Sequence, residues 1–483
     1  MSNHELYLII HQITLETLKK DLQMKLVVIG GGGVRSIYLS RSIIHCATKT
    51  GIDHIVFMDN DAEKLSIFGK MAQQIAKDIN PQVKFELTTD PVYALKDANI
   101  IITTIRVGND AARIHDEKIA LNLGLLGQET TGAGGFAFAL RSVPALIEYC
   151  YLVKKHAKSD AVIFNFTNPS GIITQALRDA GFNNVFGVCD EPSHFAIEVQ
   201  RVLGVTPEQF SMRCYGLNHL SWFDQICVDN QDITQRLIGD EQFLQQTHMR
   251  YFDKKLIQLN GNVFMNEYLY FFFYREKAIA SIIESKTCRS EYIYQLNQTM
   301  IAKLKDIDIE SDMSKAFEIY MQNYRFREFS YFSLEVKAKR ELPTIPSYQQ
   351  FLAEHDDGGY AGVVMDYILI KASGKPGKMV LSVPNDGAIS GLAASDVVEI
   401  SCIIDHHGVT PQAVGEIPPL QLNLMRMLKF YEKYTVQAIA EKSRDKAIMA
   451  LVCHPLISSF SLAEQLVDQY LSIHEPYVGV WQV

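Results

Sequence analysis

Lys25-Leu-Val-Val-Ile29 followed by Gly30-Gly31-Gly32-Gly33 is the stretch that decides the fold class of this chain. The apolar, β-branched run reads as a buried parallel strand. The glycines open into a helical pattern from Ile37 to Thr48. A strand-to-helix turn that meets a pyrophosphate needs positions without side chains and a helix N-terminus aimed at the charge. The match to G-x-G-x-x-G is imperfect: counted from Gly30 the sixth position is Arg35, and counted from Gly31 it is the small Ser36. The second strand, His54 to Met58, ends on Asp59, a carboxylate of the right type to accept from ribose hydroxyls and so to favour NAD over a 2′-phosphorylated relative. Four glycines in a row also make a simple tight turn, so the element by itself admits both readings.

Working outward, further apolar runs at Ile100–Thr104 and Ala161–Asn165, with helical segments between, give the strand–helix–strand spacing of a doubly wound sheet. After Cys189 the pattern changes. A short helical turn is expected at Pro207–Phe210, with longer helices over 242–257, 265–283, 292–305, 418–450 and 461–474. Two strand-like runs, Lys378–Val383 and Val397–Ile404, flank the turn Pro384-Asn385-Asp386-Gly387. The expected fold is α/β, with an N-terminal Rossmann-like doubly wound sheet and a C-terminal mixed, mainly helical α+β domain carrying a small sheet. The divisions expected are an N-terminal extension (1–24), a dinucleotide-type, NAD-binding domain (25–190) and a second domain (191–483).

Composition fits that reading. The chain has 483 residues, is 47% hydrophobic and 21% charged, and carries a formal net charge of −9. That is an ordinary globule with ample core material, without the basic footprint of a nucleic-acid binder. No uninterrupted apolar stretch approaches the roughly 20 residues that span a bilayer, and no membrane partner is expected. The eight cysteines are scattered, with no CxxC pair, and read as reduced thiols of a cytoplasmic protein. The first 23 residues have the periodicity of a short amphipathic helix. Glu5 before their apolar patch and the lack of a small-residue cleavage site argue against a signal peptide.

Longer strings are more specific. Leu126-Gly-Gln-Glu-Thr-Thr-Gly-Ala-Gly-Gly-Phe136 precedes Ala139-Leu140-Arg141, and Asn165-Phe-Thr-Asn-Pro-Ser-Gly171, Cys189-Asp-Glu-Pro192 and Tyr215-Gly-Leu-Asn-His-Leu-Ser221 follow. With Asn266-Glu-Tyr-Leu269, Asn385-Asp-Gly387 and His454-Pro-Leu456, they resemble glycoside hydrolase family 4, and within it the 6-phospho-β-glucosidases most. The resemblance covers nearly everything from Lys25 onward. It implies a glycosidase outside the two-carboxylate scheme. In such enzymes NAD⁺ takes hydride from C3 of a sugar, the C2 proton becomes acidic and is removed by a tyrosine, and a divalent metal, Mn²⁺ in the family, holds the C2 and C3 oxygens. The aglycone leaves, water adds, and the steps reverse. A cytoplasmic homodimer or homotetramer acting on a phosphorylated disaccharide or aryl glucoside is the implied setting.

The same resemblance implies the residue roles. Cys189 and His219 match the metal ligands, and Tyr268 the base, with Tyr270 its competitor in the segment. Arg113 and Arg289 match arginines holding the sugar 6-phosphate, as a guanidinium fork suits. Asn168 matches a ligand of substrate hydroxyls, and Glu129 and Thr130 line the nicotinamide or metal region. Asp190 departs from the β-type pattern, which has Asn after the cysteine; an acid there suits protonation of an α-oriented leaving oxygen, whereas the GQETTGxGGF string points to β. Val34-Arg35-Ser36-Ile37 also departs from relatives that have Ser/Thr-Tyr-Thr-Pro. Two other classes stay open: an NAD-linked hydroxy-acid dehydrogenase, and an inactive sugar-phosphate-binding protein.

Overall fold

The structure, a computed structural model, describes residues 24–336, 342–354 and 360–481, so the amphipathic segment at the N-terminus lies outside the described residues. Strands β1 (Met24–Ile29), β2 (Ile52–Met58), β3 (Lys84–Thr88), β4 (Ile100–Thr103), β5 (Val162–Asn165) and β6 (Val185–Gly187) form a parallel sheet in the order 3-2-1-4-5-6. Leu26, Val27 and Val28 have no exposed surface, as a run apolar on both faces requires. The strand order reverses between β1 and β4. In sheets of this kind the crevice at the carboxyl ends beside that reversal is where dinucleotides bind.

The helix Ala133–His156 is long and apolar enough by composition to cross a membrane, yet 61% of its apolar window is buried. It packs against the helices Asn109–Asn122 and Ser170–Asp179 and covers the sheet.

The C-terminal strands do not form a sheet of their own. Strand β11 (Gly377–Pro384) pairs antiparallel with β6 through Ser382 and Gly187, and β12 (Val397–Asp405) continues the sheet. Next come β7 (Phe210–Leu217), β8 (Leu220–Val228) and β10 (Phe264–Met265), with β9 (Gln231–Asp232) and β13 (Gly408–Pro411) at the side. One sheet of thirteen strands therefore runs through both halves. The β7–β8 hairpin escaped the sequence reading because Cys214–Leu217 and Leu220–Phe223 are buried on both faces and show no alternation.

Several long helices expected in the second half are broken, each for a local reason. Within 242–257, Thr247 bonds back to the Phe243 carbonyl at 3.1 Å, and a 3₁₀ turn, His248–Tyr251, separates Glu241–Gln246 from Lys254–Leu259. Within 265–283 the backbone leaves the helix at Tyr274, whose hydroxyl donates to Asp253 at 2.8 Å. The helices Pro419–Glu441 and Arg444–Cys453 part at Lys442, which takes φ +49°. The helix Met313–Phe329 packs Phe317, Tyr320 and Met321 against Ile37, Phe68 and Met71 of the N-terminal half, which sets its last turn above the cleft.

Candidate active site

A cleft of about 1480 Å³ runs from the glycine turn to the β7–β8 hairpin. Gly30, Gly32 and Gly33 line it, whereas Gly31 packs beneath against Phe57. Gly30 takes φ +100°, and a Cβ there would sit 2.5 Å from the Thr104 carbonyl oxygen, so no other residue fits. The Gly32 N–H donates to Asp59 Oδ2 at 2.9 Å and the Asp61 N–H to Oδ1 at 3.0 Å. Asp59 therefore holds the turn open while facing the cleft; burial pushes its carboxyl up, and the two N–H donors oppose that shift. Ser36, at the third-glycine position, returns its hydroxyl to the Gly31 carbonyl at 2.7 Å. An open, glycine-walled turn, a helix N-terminus and an acidic residue after β2 together fit a dinucleotide.

At the other end, Cys189 Sγ and His219 Nε2 stand 3.5 Å apart. Donors bound to one divalent ion at about 2.3 Å (sulfur) and 2.1 Å (nitrogen) are separated by about 3.1 to 3.6 Å, so the pair fits one ion. Among the described residues no three of His, Cys, Asp and Glu form a fuller set. His219 is the second residue of the two-residue turn between β7 and β8 and takes φ +61°, an uncommon conformation that aims its ring into the cleft. Burial pushes its imidazole down to about 4 and keeps it neutral. Burial also pushes the Cys189 thiol well up, Glu399 and Asp190 add to the shift, and the Glu191 backbone N–H opposes it. A bound cation would reverse that balance.

Thr130 explains the imidazole's orientation. Its hydroxyl lies 2.8 Å from His219 Nδ1 and 3.0 Å from Gln128 Oε1. Since an amide oxygen only accepts, the hydroxyl donates to Gln128 and accepts from Nδ1–H, and the Nε2 lone pair faces Cys189. Tyr268 stacks on His219 with ring centroids 3.7 Å apart and planes within 2°. Asn266 places it by accepting from the Tyr268 N–H at 3.0 Å and donating to Glu191 at 2.7 Å. Burial pushes the Tyr268 phenol well up, and the hydroxyl of Tyr331 donates to its oxygen. Tyr270 is not part of the cleft lining.

The remaining residues divide. Asn168, Asp190 and Arg289 line the cleft. Asp190 Oδ2 lies 3.5 Å from the Arg35 guanidinium, so the departure in the glycine turn and the departure after the cysteine meet as an ion pair. Arg113 does not line the cleft. It is 3% exposed, beside a cavity of about 30 Å³ behind Tyr268, and its Nε lies 2.9 Å from Glu117 and 3.2 Å from Glu129. Glu129 also takes Arg106 at 2.6 Å; burial raises its carboxyl, but Arg106 and Arg113 outweigh that and hold it far below the usual range. Sequence reasoning passed over Arg106, Arg327 and Tyr331. No motif carried Arg327 or Tyr331, and only Arg106, at the carboxyl end of β4, had a positional signal.

Comparison with known proteins agrees on the family. A sequence profile described as family 4 glycosyl hydrolase matches residues 25–205, and one described as family 4 glycosyl hydrolase C-terminal domain matches residues 214–457. Maltose-6′-phosphate glucosidase MalH of Clostridium acetobutylicum is 26% identical over 472 residues, covering 94% of this chain and 98% of that protein. The 6-phospho-beta-glucosidase BglT of Thermotoga maritima is 27% identical over 469 residues, covering 94% and 99%. A solved structure of the 6-phospho-beta glucosidase from Thermotoga maritima with manganese, NAD⁺ and glucose-6-phosphate superimposes with a TM-score of 0.76 at 25% identity, covering 94% of this chain and 99% of that one.

Proposed function

The chain belongs to glycosyl hydrolase family 4, and from that premise we propose that it hydrolyses 6-phosphoglucosides, of β configuration, using NAD⁺ and a divalent metal, Mn²⁺ foremost. The observation that carries the reading is the joined set Cys189, His219 and Tyr268 in one cleft with the glycine turn. When bound, NAD⁺ supplies a hydride acceptor and the metal a Lewis acid, which together acidify the carbon next to the oxidised one.

The chain's own residues do the rest. Gly30 and Gly32 let the backbone approach the cofactor, and Asp59 meets its ribose. Cys189 and His219 would hold the ion, with Thr130 fixing the imidazole's tautomer. Tyr268 would take the C2 proton as its phenolate and become a neutral phenol, and the hydrogen bond donated by Tyr331 steadies the negative charge its oxygen carries before the transfer. Asn168 reaches substrate hydroxyls from the turn before the helix Ser170–Asp179.

What supports the β assignment is the GQETTGxGGF string and Arg35. An acid that serves an α-oriented leaving oxygen needs its own oxygen directed there, and Asp190 Oδ2 is engaged by the Arg35 guanidinium. Relatives of both specificities match over nearly the whole chain, so linkage is decided by assay. The test is a panel of α- and β-linked nitrophenyl glucosides, with and without 6-phosphate, assayed with NAD⁺, Mn²⁺ and thiol. Turnover of the β-linked phosphate without net NADH, with solvent deuterium at C2 of the product, is expected. Net NADH from a hydroxy acid, or saturable binding without turnover, overturns it in favour of a dehydrogenase or a binding protein respectively.

A further inference from the structure

Glu399 lies within the strand β12, between Val398 and Ile400, and is 1% exposed. Strand β12 pairs with β7 through Glu399 and Gly216, which sets Glu399 beside the turn that carries His219. Its partners are neutral. Oε1 accepts from the Asn218 side-chain amide at 2.9 Å and Oε2 from the Ser221 hydroxyl at 3.1 Å, and among the described residues no cation pairs with it. Burial pushes the carboxyl up to about 7, and these two donors oppose the shift. A carboxylate taken out of water is costly unless a cation offsets it, so packing alone does not explain an acid here.

The two hydrogen bonds lead to different parts of the active site. Asn218 and His219 are the two residues of the β7–β8 turn, closed by the pair Leu217–Leu220. His219 holds φ +61°, a conformation that persists only where its surroundings enforce it, and the Asn218 side chain next to it is anchored on Glu399. On the other arm, Ser221 Oγ accepts from Asn266 Nδ2 at 3.0 Å, and Asn266 Oδ1 accepts from the Tyr268 N–H at 3.0 Å. The direction of this chain is determined. A backbone N–H only donates, so the Asn266 oxygen faces Tyr268 and its NH₂ faces Ser221. The Ser221 hydrogen is then free to go on to Glu399. Every donor runs toward Glu399, which ends both arms as an acceptor. Its charge also reaches Cys189, where after burial it is the largest influence on the thiol.

We infer that Glu399 is a positioning residue that sets the metal pair and the base relative to each other. Oε1 fixes the turn that presents His219, and Oε2, through Ser221 and Asn266, fixes the backbone at Tyr268. This rests on the function proposed above. Thr130 orients the imidazole ring, whereas Glu399 holds the turn that bears it, so the two supports are separate.

The test compares wild type, Glu399→Met, Glu399→Gln, Asn218→Ala and Ser221→Ala, each loaded with NAD⁺. Mn²⁺ affinity is read from the electron paramagnetic resonance of the free ion. The kcat, KM and deuterium entry at C2 are read on the phosphorylated nitrophenyl glucoside at saturating Mn²⁺, with melting temperatures beside them. Glu399→Met removes both acceptors and should weaken Mn²⁺ about 10- to 100-fold, as loss of support for a metal-binding histidine does, and lower kcat about 10-fold. Glu399→Gln, with one oxygen, should recover part of this. Asn218→Ala should reproduce the loss of affinity, with kcat at saturating metal within about 2-fold. Ser221→Ala should reproduce the fall in kcat and in deuterium entry, with Mn²⁺ affinity and KM within about 2-fold. Full affinity and full kcat in a folded Glu399→Met reduce Glu399 to packing and overturn the inference. Where Glu399→Met does not fold, the two single arms decide, and wild-type behaviour in both overturns it equally. Loss of affinity and kcat together in each arm overturns the division of labour between the two oxygens. A wild type that binds no Mn²⁺ defeats the functional reading itself, whereas one that binds it beside indifferent variants defeats only this inference.

Discussion

Replacing Thr130 by valine removes one oxygen at nearly constant volume and cuts the relay from His219 Nδ1 through Thr130 to Gln128, whose links are 2.8 and 3.0 Å. Two effects follow. The Nδ1–H is left buried without an acceptor, at a cost of about 1 to 3 kcal/mol. The imidazole is also released from the tautomer that turns the Nε2 lone pair to Cys189. Groups that orient metal-binding histidines are worth about 10- to 100-fold in affinity, or about 1.4 to 2.7 kcal/mol. Thr130→Val should therefore raise the Mn²⁺ concentration for half-maximal turnover by that factor, and calorimetric titration of the metal-free protein should show the same loss. Thr130→Ser, which restores the hydroxyl, should recover most of it. A Thr130→Val protein that melts normally and saturates with Mn²⁺ at the wild-type concentration refutes the relay and the tautomer drawn from it.

Gly30→Ala should destabilise the fold by about 2 to 4 kcal/mol, the sum of a positive φ and a 2.5 Å approach to the Thr104 carbonyl, and should abolish NAD⁺ binding; thermal melts and a cofactor titration check both. Arg113→Ala leaves Glu117 and Glu129 buried beside an empty place, so it should act first on stability, by about 3 to 5 kcal/mol in urea unfolding, and on bare and phosphorylated substrates alike. A selective loss on phosphorylated substrate at unchanged stability contradicts that expectation. Burial pushes the His454 imidazole down to about 3, where its Nδ1 accepts from the Leu456 N–H at 3.1 Å. A group with a depressed value in the folded state stabilises above its unfolded value near 6.5 and loses that contribution as pH falls toward 3. About 2 kcal/mol should be gone at pH 5, and His454→Gln should remove that part of the pH dependence; parallel curves for the two proteins would sink the assignment.

What the sequence disclosed was local. The run Lys25–Ile29 with its glycines and Asp59 announced the parallel sheet, because a strand buried on both faces and a close turn leave marks in consecutive residues. The hairpin that carries His219 left no such mark, since the pairing of Cys214 with Phe223 or of Gly216 with Ser221 is a property of two strands and not of either string. Tyr331 and Arg327 matter through what the helix Met313–Phe329 packs against, which no spacing encodes. The reverse holds for Arg113: its string suggested a phosphate ligand, and only folding showed the two carboxylates around it. Thr130 was visible within a motif, yet its partner His219 lies 89 positions away.

The joining of the halves has a consequence for the cleft. The sheet passes without interruption from β6 into β11, and helices of the second half, Pro419–Glu441 and Phe460–Val478, lie against Ser170–Asp179 and Asn109–Asn122 of the first. Two lobes fastened along both a hydrogen-bonded seam and their outer helices share one continuous framework, so the width of the cleft between them is a property of the whole fold and not of either lobe.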